Sequence, residues 1–126
     1  MKISGILSIK DGIYRGYPFL EAILSAIPIC DEFLVNEAKS QDETLYYLKK
    51  LKKVFPKIKI YQIPWHEGDY WEALDESINF LISKANGDWI FEVQGDELWF
   101  RKVLNFWTKI FNIKLKKEIF EKAIFR

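Results

Sequence analysis

The sequence is 126 residues long, 49% apolar and 17% aromatic, with a formal net charge of +1 at pH 7. This composition suits one globular domain and excludes intrinsic disorder, and no apolar run approaches the roughly 18 residues needed to cross a bilayer. The single cysteine, Cys30, excludes an internal disulfide and a cysteine-cluster metal site. The first residues lack a signal-peptide cleavage pattern, so we expect a cytoplasmic protein.

Short apolar runs alternate with helical periodicity along residues 1–97. Four runs are typical of strands, at residues 3–9, 33–35, 58–63 and 89–93. Three segments between them repeat apolar residues at helical spacing, from Phe19 to Ile27, from Leu45 to Val54 and from Asp69 to Asn86. Strands that alternate with helices form right-handed βαβ units, so the sequence predicts an α/β fold with a mostly parallel sheet and flanking helices.

Residues 98–126 differ from the rest of the chain in charge. They hold eight Lys or Arg and two Glu, an excess of about six positive charges, which leaves residues 1–97 with an excess of about five negative ones. Apolar side chains recur among these cations at the spacing of amphipathic helices, as Trp99, Phe100, Val103, Leu104, Trp107 and Phe111 show. We therefore divide the chain into an α/β domain, residues 1–97, and a basic helical tail, residues 98–126.

Three partners are open for the apolar face of this tail. Its own sheet is the preferred one, because protein contact removes the apolar stripe from water. A second copy of the chain would give a homo-oligomer, and an anionic membrane would give a peripheral contact. Nucleic acid is not an expected partner, because the cations are spread along the tail and the rest of the chain is acidic.

Acidic side chains follow the predicted strands at the point where each strand ends. They include Asp11, Glu37, Glu67, Asp96 and Glu97. Ligands of open parallel sheets bind outside the carboxyl ends of the strands, and carboxylates that converge there repel one another unless a cation compensates. The pattern favours a divalent metal site, with solvated loop acids as the alternative. No G-x-G-x-x-G follows the first strand and the chain has no G-x-x-x-x-G-K-[ST], so phosphates would be held by a metal.

Two segments resemble the motifs of family-2 glycosyltransferases, which have the GT-A fold. Residues 35–44, VNEAKSQDET, are similar to V-V-D-D-G-S-x-D-x-T. Residues 87–97, GDWIFEVQGDE, are similar to G-D-W-I-x-x-x-D-A-D-E in the variant whose first Asp is Gln. Residues 17–18, YP, and 30–35, CDEFLV, also fit that subgroup. The resemblance extends over about residues 3–97 and implies the Rossmann-like fold of a nucleotide-diphospho-sugar transferase.

The resemblance also implies a ligand, which is a nucleotide-diphosphate-sugar of the uridine type. It assigns Glu37 to the imide N–H of the base, and Asp96 with Gln94 to a Mn²⁺ or Mg²⁺ ion that bridges the diphosphate. The predicted nucleotide-binding residues lie at the ends of the first three strands and are Ser8, Lys10, Asp11, Glu37 and His66. For His66, a hydrogen-bonded loop histidine is the alternative. Aromatic residues near it, at positions 65, 70 and 71, would stack on a base or sugar or else belong to the core.

The activity implied is hexosyl transfer from a nucleotide-sugar to an acceptor that the sequence does not identify. Gln94 stands where the family has a carboxylate, which weakens metal binding. The family's second half, with its acceptor pocket and general-base carboxylate, has no counterpart after Glu97. The sequence therefore predicts a truncated glycosyltransferase, with a non-catalytic nucleotide-sugar-binding or oligomeric interaction module as the alternative.

Overall fold

The computed structural model describes residues 2–93, which form four strands and three helices. The strands are β1 (Ile3–Ile9), β2 (Glu32–Glu37), β3 (Ile58–Tyr61) and β4 (Trp89–Glu92). The helices are α1 (Phe19–Ala26), α2 (Thr44–Val54) and α3 (Tyr70–Lys84), and a short 3-10 turn, Ile27–Ile29, follows α1. Every strand and helix predicted before residue 94 is present, whereas the predicted tail, 98–126, lies outside the described residues.

The four strands form one parallel sheet in the order β3-β2-β1-β4. In this register Ser8 lies beside Asn36, and Asn36 lies beside Tyr61. Parallel neighbours need a crossover connection, and helices supply those connections here. The predicted α/β class, with a mostly parallel sheet and flanking helices, is confirmed. The strand order reverses between β1 and β4, because β2 and β3 extend to one side of β1 and β4 lies on the other.

Helices α1 and α2 cover one face of the sheet, and most of the buried apolar side chains lie there. Leu7, Phe33 and Val35 point to this face from the two central strands and are fully buried. The ring of Phe33 lies directly over Gly5, where a Cβ atom would come within 2.3 Å of Phe33 Cδ2. Only glycine fits at position 5 without displacement of that ring.

Helix α3 covers the opposite face, where fewer apolar side chains are buried. Ile6, Leu34 and Leu81 form this smaller apolar cluster. On β2 the two neighbours of Leu34 along this face are Glu32 and Asn36, both buried and both polar. Buried polar groups need hydrogen-bond partners, so this face depends on polar contacts as well as on packing.

The start of α3 is set by a side-chain cap at Asp69, the residue near which the sequence predicts that this helix begins. The Asp69 carboxylate accepts hydrogen bonds from the backbone N–H groups of Trp71, at 2.8 Å, and Glu72, at 3.3 Å. Such a cap satisfies two of the backbone donors that a helix start leaves free. It also fixes where the loop before α3 meets the helix.

The boundary of β3 differs from the prediction, because this strand ends at Tyr61 rather than at residue 63. The backbone of Ile63 is hydrogen bonded to a side chain instead of a neighbouring strand, because the Asn36 amide accepts from its N–H group and donates to its C=O group. Strand β2 is longer than predicted and reaches Glu37. Within residues 2–93, no helix has both the length and the hydropathy to cross a bilayer.

Candidate functional site

A cavity of about 320 Å³ opens at the point where the strand order reverses, between the carboxyl ends of β1 and β4. Ligands of open α/β sheets bind in this kind of crevice. The end of β1, the loop after it, the β3–α3 loop, the start of α3 and the end of β4 all contribute walls. The volume lies at the lower end of the range for small-molecule sites, about 300–1,000 Å³.

Charged side chains of both signs line this cavity. Lys10 and Arg15 approach it from the end of β1 and the following loop, and Glu67 and Glu92 approach it from the β3–α3 loop and the end of β4. Guanidinium and ammonium groups are the usual protein donors to phosphate oxygens. The cavity therefore offers cations for an anionic ligand and carboxylates that accept from hydroxyl groups.

Three aromatic rings form one wall of the cavity. Trp65 meets Tyr70 edge to face with ring centroids 5.4 Å apart, and Tyr70 meets Trp71 in the same way at 5.2 Å. Trp71 is 69% exposed and Tyr70 is 45% exposed. These two rings do not belong to the core, and stacking on a base or sugar stays a prediction for them.

The loop after β1 is held by polar contacts to the loop after β2. Asp11 has a left-handed backbone, with φ of 53°, and its carboxylate accepts from the backbone N–H of Gln41 at 2.8 Å. Its own N–H donates to the Ser40 hydroxyl at 2.7 Å, and Tyr14 N–H donates to Asp42 at 2.8 Å. Asp11 is not among the residues that line the cavity. Its contacts fix the loop that carries Arg15.

Glu37 also turns its carboxylate toward the backbone and away from the cavity. Its side chain is almost fully buried, with 1% exposure, and Oε1 accepts from the Ser40 N–H at 2.5 Å. This contact closes the turn in which Lys39 has a φ of 52°. Glu37 is absent from the lining of the cavity, so the role predicted for it at the base stays a prediction.

A buried chain of polar side chains runs from β2 to the cavity wall. Asn36 Nδ2 donates to Ser77 Oγ at 2.7 Å, and Ser77 Oγ lies 2.5 Å from Ser8 Oγ. The indole N–H of Trp65 donates to Ser8 Oγ at 3.0 Å. These contacts join β2, α3, β1 and the β3–α3 loop, and they fix the position of the Trp65 ring.

His66 lies at the rim of the cavity among carboxylates. Its Nε2 is 3.2 Å from Glu76 Oε2, and its Nδ1 is 2.9 Å from the carbonyl oxygen of Glu67. The contact with the Glu67 carbonyl raises the pKa of His66, and the charges of Glu76, Glu72 and Asp69 raise it further against the loss of hydration. His66 is therefore a hydrogen-bonded loop histidine, and it is also one of the residues that line the cavity.

The same histidine belongs to a group of side chains with metal-ligating atoms. His66, Glu72 and Glu76 are all exposed and bring one ligand atom each within 4.8 Å of one another. Carboxylates suit Mg²⁺ and Mn²⁺, and imidazole suits later transition metals. The predicted metal residues, Gln94 and Asp96, lie outside the described residues. Among residues 2–93, this group is where a divalent cation fits by donor type.

The structure brings together three of the five nucleotide-binding residues predicted from the sequence. Ser8, Lys10 and His66 line the same cavity, whereas Asp11 and Glu37 do not. Sequence reasoning missed Arg15 and Ser77. Arg15 lies in the loop that follows β1, and its position soon after a strand end could have identified it as a candidate site residue. Ser77 carries no local signal, because a serine in a helix looks the same whether it faces a neighbour or solvent.

The chain matches no protein-family model and no curated protein. Its fold is similar to that of S. aureus TarS residues 1–349, with a TM-score of 0.56 and 19% identity over 86% of this chain and 33% of that chain. The same TarS fragment in complex with UDP gives a TM-score of 0.57 and 20% identity over 86% of this chain and 32% of that chain. The chain thus spans about a third of those structures, and the likeness shows that this part of their fold is shared.

Proposed function

We propose that this chain binds a nucleotide-diphosphate-sugar of the uridine type and forms the donor-binding half of a glycosyltransferase. The observation that carries the proposal is the cavity at the reversal of strand order, which combines cations, carboxylates and exposed aromatic rings. One of the TarS structures, whose fold is similar, is a complex with UDP, which supports a uridine nucleotide as the ligand.

Each part of such a ligand has a matching group in the cavity. The diphosphate is assigned to Lys10 and Arg15, because both bind phosphate oxygens through charge-assisted hydrogen bonds. The flat base is assigned to the aromatic wall, where Trp71 leaves much of its surface exposed. Glu67 and Glu92 are acceptors for sugar hydroxyl groups.

A divalent cation, Mn²⁺ or Mg²⁺, is part of the proposal. Gln94 and Asp96 come two and four residues after the end of β4 in the sequence, and Glu92, the last residue of β4, lines the cavity. When bound, the metal would neutralise charge that develops on the leaving diphosphate. The residues of this chain would bind the nucleotide, orient the sugar and exclude water from one side of the sugar.

A second candidate function is nucleotide-sugar binding without transfer. Gln94 replaces a carboxylate of the family motif. The acceptor, and a base that would remove its proton, stay unassigned. A binding module or an oligomeric interaction module, assembled through residues 98–126, accounts for the same cavity, and a peripheral membrane contact through that tail stays a proposal as well.

Calorimetric titration with UDP tests the binding proposal. We expect saturable binding that Mn²⁺ strengthens, and a loss of about tenfold in affinity for Lys10→Ala and for Arg15→Ala, because each removes a charged hydrogen bond. Lys53→Ala, an exposed lysine on α2, is the matched control and should bind as the unaltered protein does. Absence of UDP binding, or an equal loss in the control, would refute the proposal.

Two further measurements test the metal site and the transfer activity separately. Asp96→Ala should remove the effect of Mn²⁺ on UDP affinity, and no effect of Mn²⁺ on the unaltered protein would show that the role given to Asp96 is wrong. Release of UDP from a panel of UDP-sugars distinguishes the two candidates. Slow, metal-dependent release supports an enzyme, and binding without release supports the module.

A further inference from the structure

The hydrogen-bond direction in the buried chain of polar side chains is fixed at its inner end. Asn36 meets both polar groups of the Ile63 backbone, with Oδ1 accepting from the N–H at 2.8 Å and Nδ2 donating to the C=O at 3.0 Å. A flipped amide would set donor against donor and acceptor against acceptor. The second hydrogen on Nδ2 therefore goes to Ser77 Oγ, 2.7 Å away.

Ser77 passes this direction on to Ser8. Its hydroxyl oxygen accepts from Asn36, and Ser8 Oγ, at 2.5 Å, is the acceptor for its hydrogen among the described residues. If Ser8 donated instead, the hydrogen of Ser77 would be buried without an acceptor, since Ser77 is 5% exposed. A buried donor without a partner destabilises a fold, so the favoured arrangement has Ser77 donating to Ser8.

Ser8 is then left with one unused hydrogen. Its oxygen accepts from Ser77 and from the indole N–H of Trp65, which occupies both lone pairs. Ser8 is 8% exposed and is one of the residues that line the cavity. The hydroxyl thus presents a hydrogen-bond donor, and no acceptor, to whatever fills the cavity.

We infer that the relay from Asn36 through Ser77 fixes the Ser8 hydroxyl as a donor, which selects an acceptor oxygen on the bound nucleotide. The inference rests on the proposed nucleotide function and specifies it further. Asn36 does not line the cavity and acts as a positioning residue that determines specificity. The acceptor is either a carbonyl oxygen of the base or an oxygen of the ribose or phosphate. A ligand that places a donor at this point leaves two donors facing each other and binds less well.

Two variants test the two ends of the relay by calorimetry with UDP. Ser8→Ala removes the donor, so UDP affinity should fall about tenfold. Ser25→Ala is the matched control, because it deletes an equally buried hydroxyl in α1 that bonds to the Ala22 carbonyl oxygen; its affinity should stay within about twofold. Asn36→Asp replaces the amide donor by an acceptor, so the relay reverses and Ser8 presents a lone pair. UDP affinity should fall at least as far as for Ser8→Ala.

The double variant separates a relay from a general structural effect. If Asn36 acts through Ser8, then Asn36→Asp should cost little further affinity in the Ser8→Ala background. An unchanged cost in that background overturns the inference, and so does UDP binding by Ser8→Ala equal to that of the unaltered protein. Thermal unfolding shows which variants fold, and if Asn36→Asp does not fold, Ser8→Ala alone decides.

CDP distinguishes the C4 carbonyl oxygen of uracil from the other acceptors, because cytosine has an amino group at C4 and keeps the C2 carbonyl. If the acceptor is the C4 carbonyl oxygen, CDP binds more weakly than UDP and Ser8→Ala abolishes the difference. If the acceptor is the C2 carbonyl oxygen or a ribose or phosphate oxygen, Ser8→Ala weakens both nucleotides equally. Either result supports the inference. Failure of the unaltered protein to bind either nucleotide refutes the proposed function and this inference together. If the unaltered protein binds UDP and Ser8→Ala binds it equally well, only this inference is refuted.

Discussion

The face of the sheet under α1 and α2 and the face under α3 are stabilised by different interactions. The first is an apolar core in which side chains such as Phe33 and Leu7 are completely buried. The second has a small apolar cluster around Leu34, with Glu32 and Asn36 on either side of it along the same strand. The cavity opens at the Asn36 end of this second face.

Because of this difference, we expect one face of the sheet to contribute mainly to stability and the other to contribute to ligand specificity. Apolar packing is non-directional and stabilises the fold without defining which ligand atom faces which side chain. Hydrogen bonds are directional, so the polar chain that ends at Ser8 transmits orientation to the cavity. We therefore expect substitutions on the first face to act mainly on stability, and substitutions on the second to act on ligand preference or on the pH dependence of stability.

The largest expected effect is on the α1 and α2 face, at Phe33. Phe33→Ala removes a fully buried ring that packs over Gly5, and we expect a loss of about 3–5 kcal/mol in the free energy of unfolding. Leu81→Ala is the matched change on the α3 face, with an expected loss of about 2–3 kcal/mol. Urea denaturation measures both. A larger loss at Leu81 would contradict the comparison of the two faces.

The next effect is the acid sensitivity of the α3 face, which depends on Glu32. Burial alone would raise the pKa of this carboxyl, but hydrogen bonds from Lys59, Ser4 and the Asn86 N–H lower it to about 2. A carboxylate with a folded-state pKa below its unfolded value stabilises the fold at neutral pH. That stabilisation is complete above pH 4.5 or so and is lost as the pH falls toward 2.

Glu32→Gln should therefore flatten the loss of stability between about pH 4.5 and pH 2, which amounts to at most about 3 kcal/mol in the unaltered protein. The carboxylate rather than the ammonium group accounts for this effect, because a lysine side chain stays protonated throughout this pH range. Glu43→Gln, an exposed glutamate before α2, is the control. An acid transition that is the same in both variants would show that Glu32 does not contribute.

The smallest expected effect concerns the rim of the cavity, where His66 is exposed. NMR titration should give a pKa above the ordinary histidine value, because the Glu67 carbonyl and the nearby carboxylates favour the protonated ring. Glu76→Gln should lower that pKa, since it removes the carboxylate 3.2 Å from Nε2. Glu21→Gln, on α1, should leave the titration of His66 unchanged. A pKa that does not respond to Glu76→Gln would mean that water screens this pair completely.

Much of the fold was predictable because local sequence patterns specify it. The apolar runs of β1 and β4, the periodic segments of the helices and the Asp69 cap each depend on neighbouring residues alone. The end of β3 was not predictable in this way. Ile63 is apolar like Ile58 and Ile60, yet its backbone is hydrogen bonded to the side chain of Asn36, 27 residues earlier.

For the candidate site too, the features that depend on nearby residues were predictable and those that depend on distant residues were not. Ser8, Lys10 and His66 were predicted because the carboxyl ends of parallel strands share one edge of a sheet. The same rule also predicted Asp11 and Glu37, whose carboxylates are bonded to the backbone of the loop after β2. Position along a strand predicts which edge a residue approaches, but it does not predict whether nearby N–H groups already occupy a carboxylate.

The sequence by itself determined the α/β class, the order of the elements and the edge of the sheet at which the candidate site lies, because these follow from periodicity, from the handedness of βαβ units and from the shared edge of parallel strands. Only the tertiary structure decided which side of β1 receives β4, and so where the cavity opens. It also decided the direction of the hydrogen bonds from Asn36 to Ser8, because that direction depends on donors and acceptors from four elements that meet only in the folded chain.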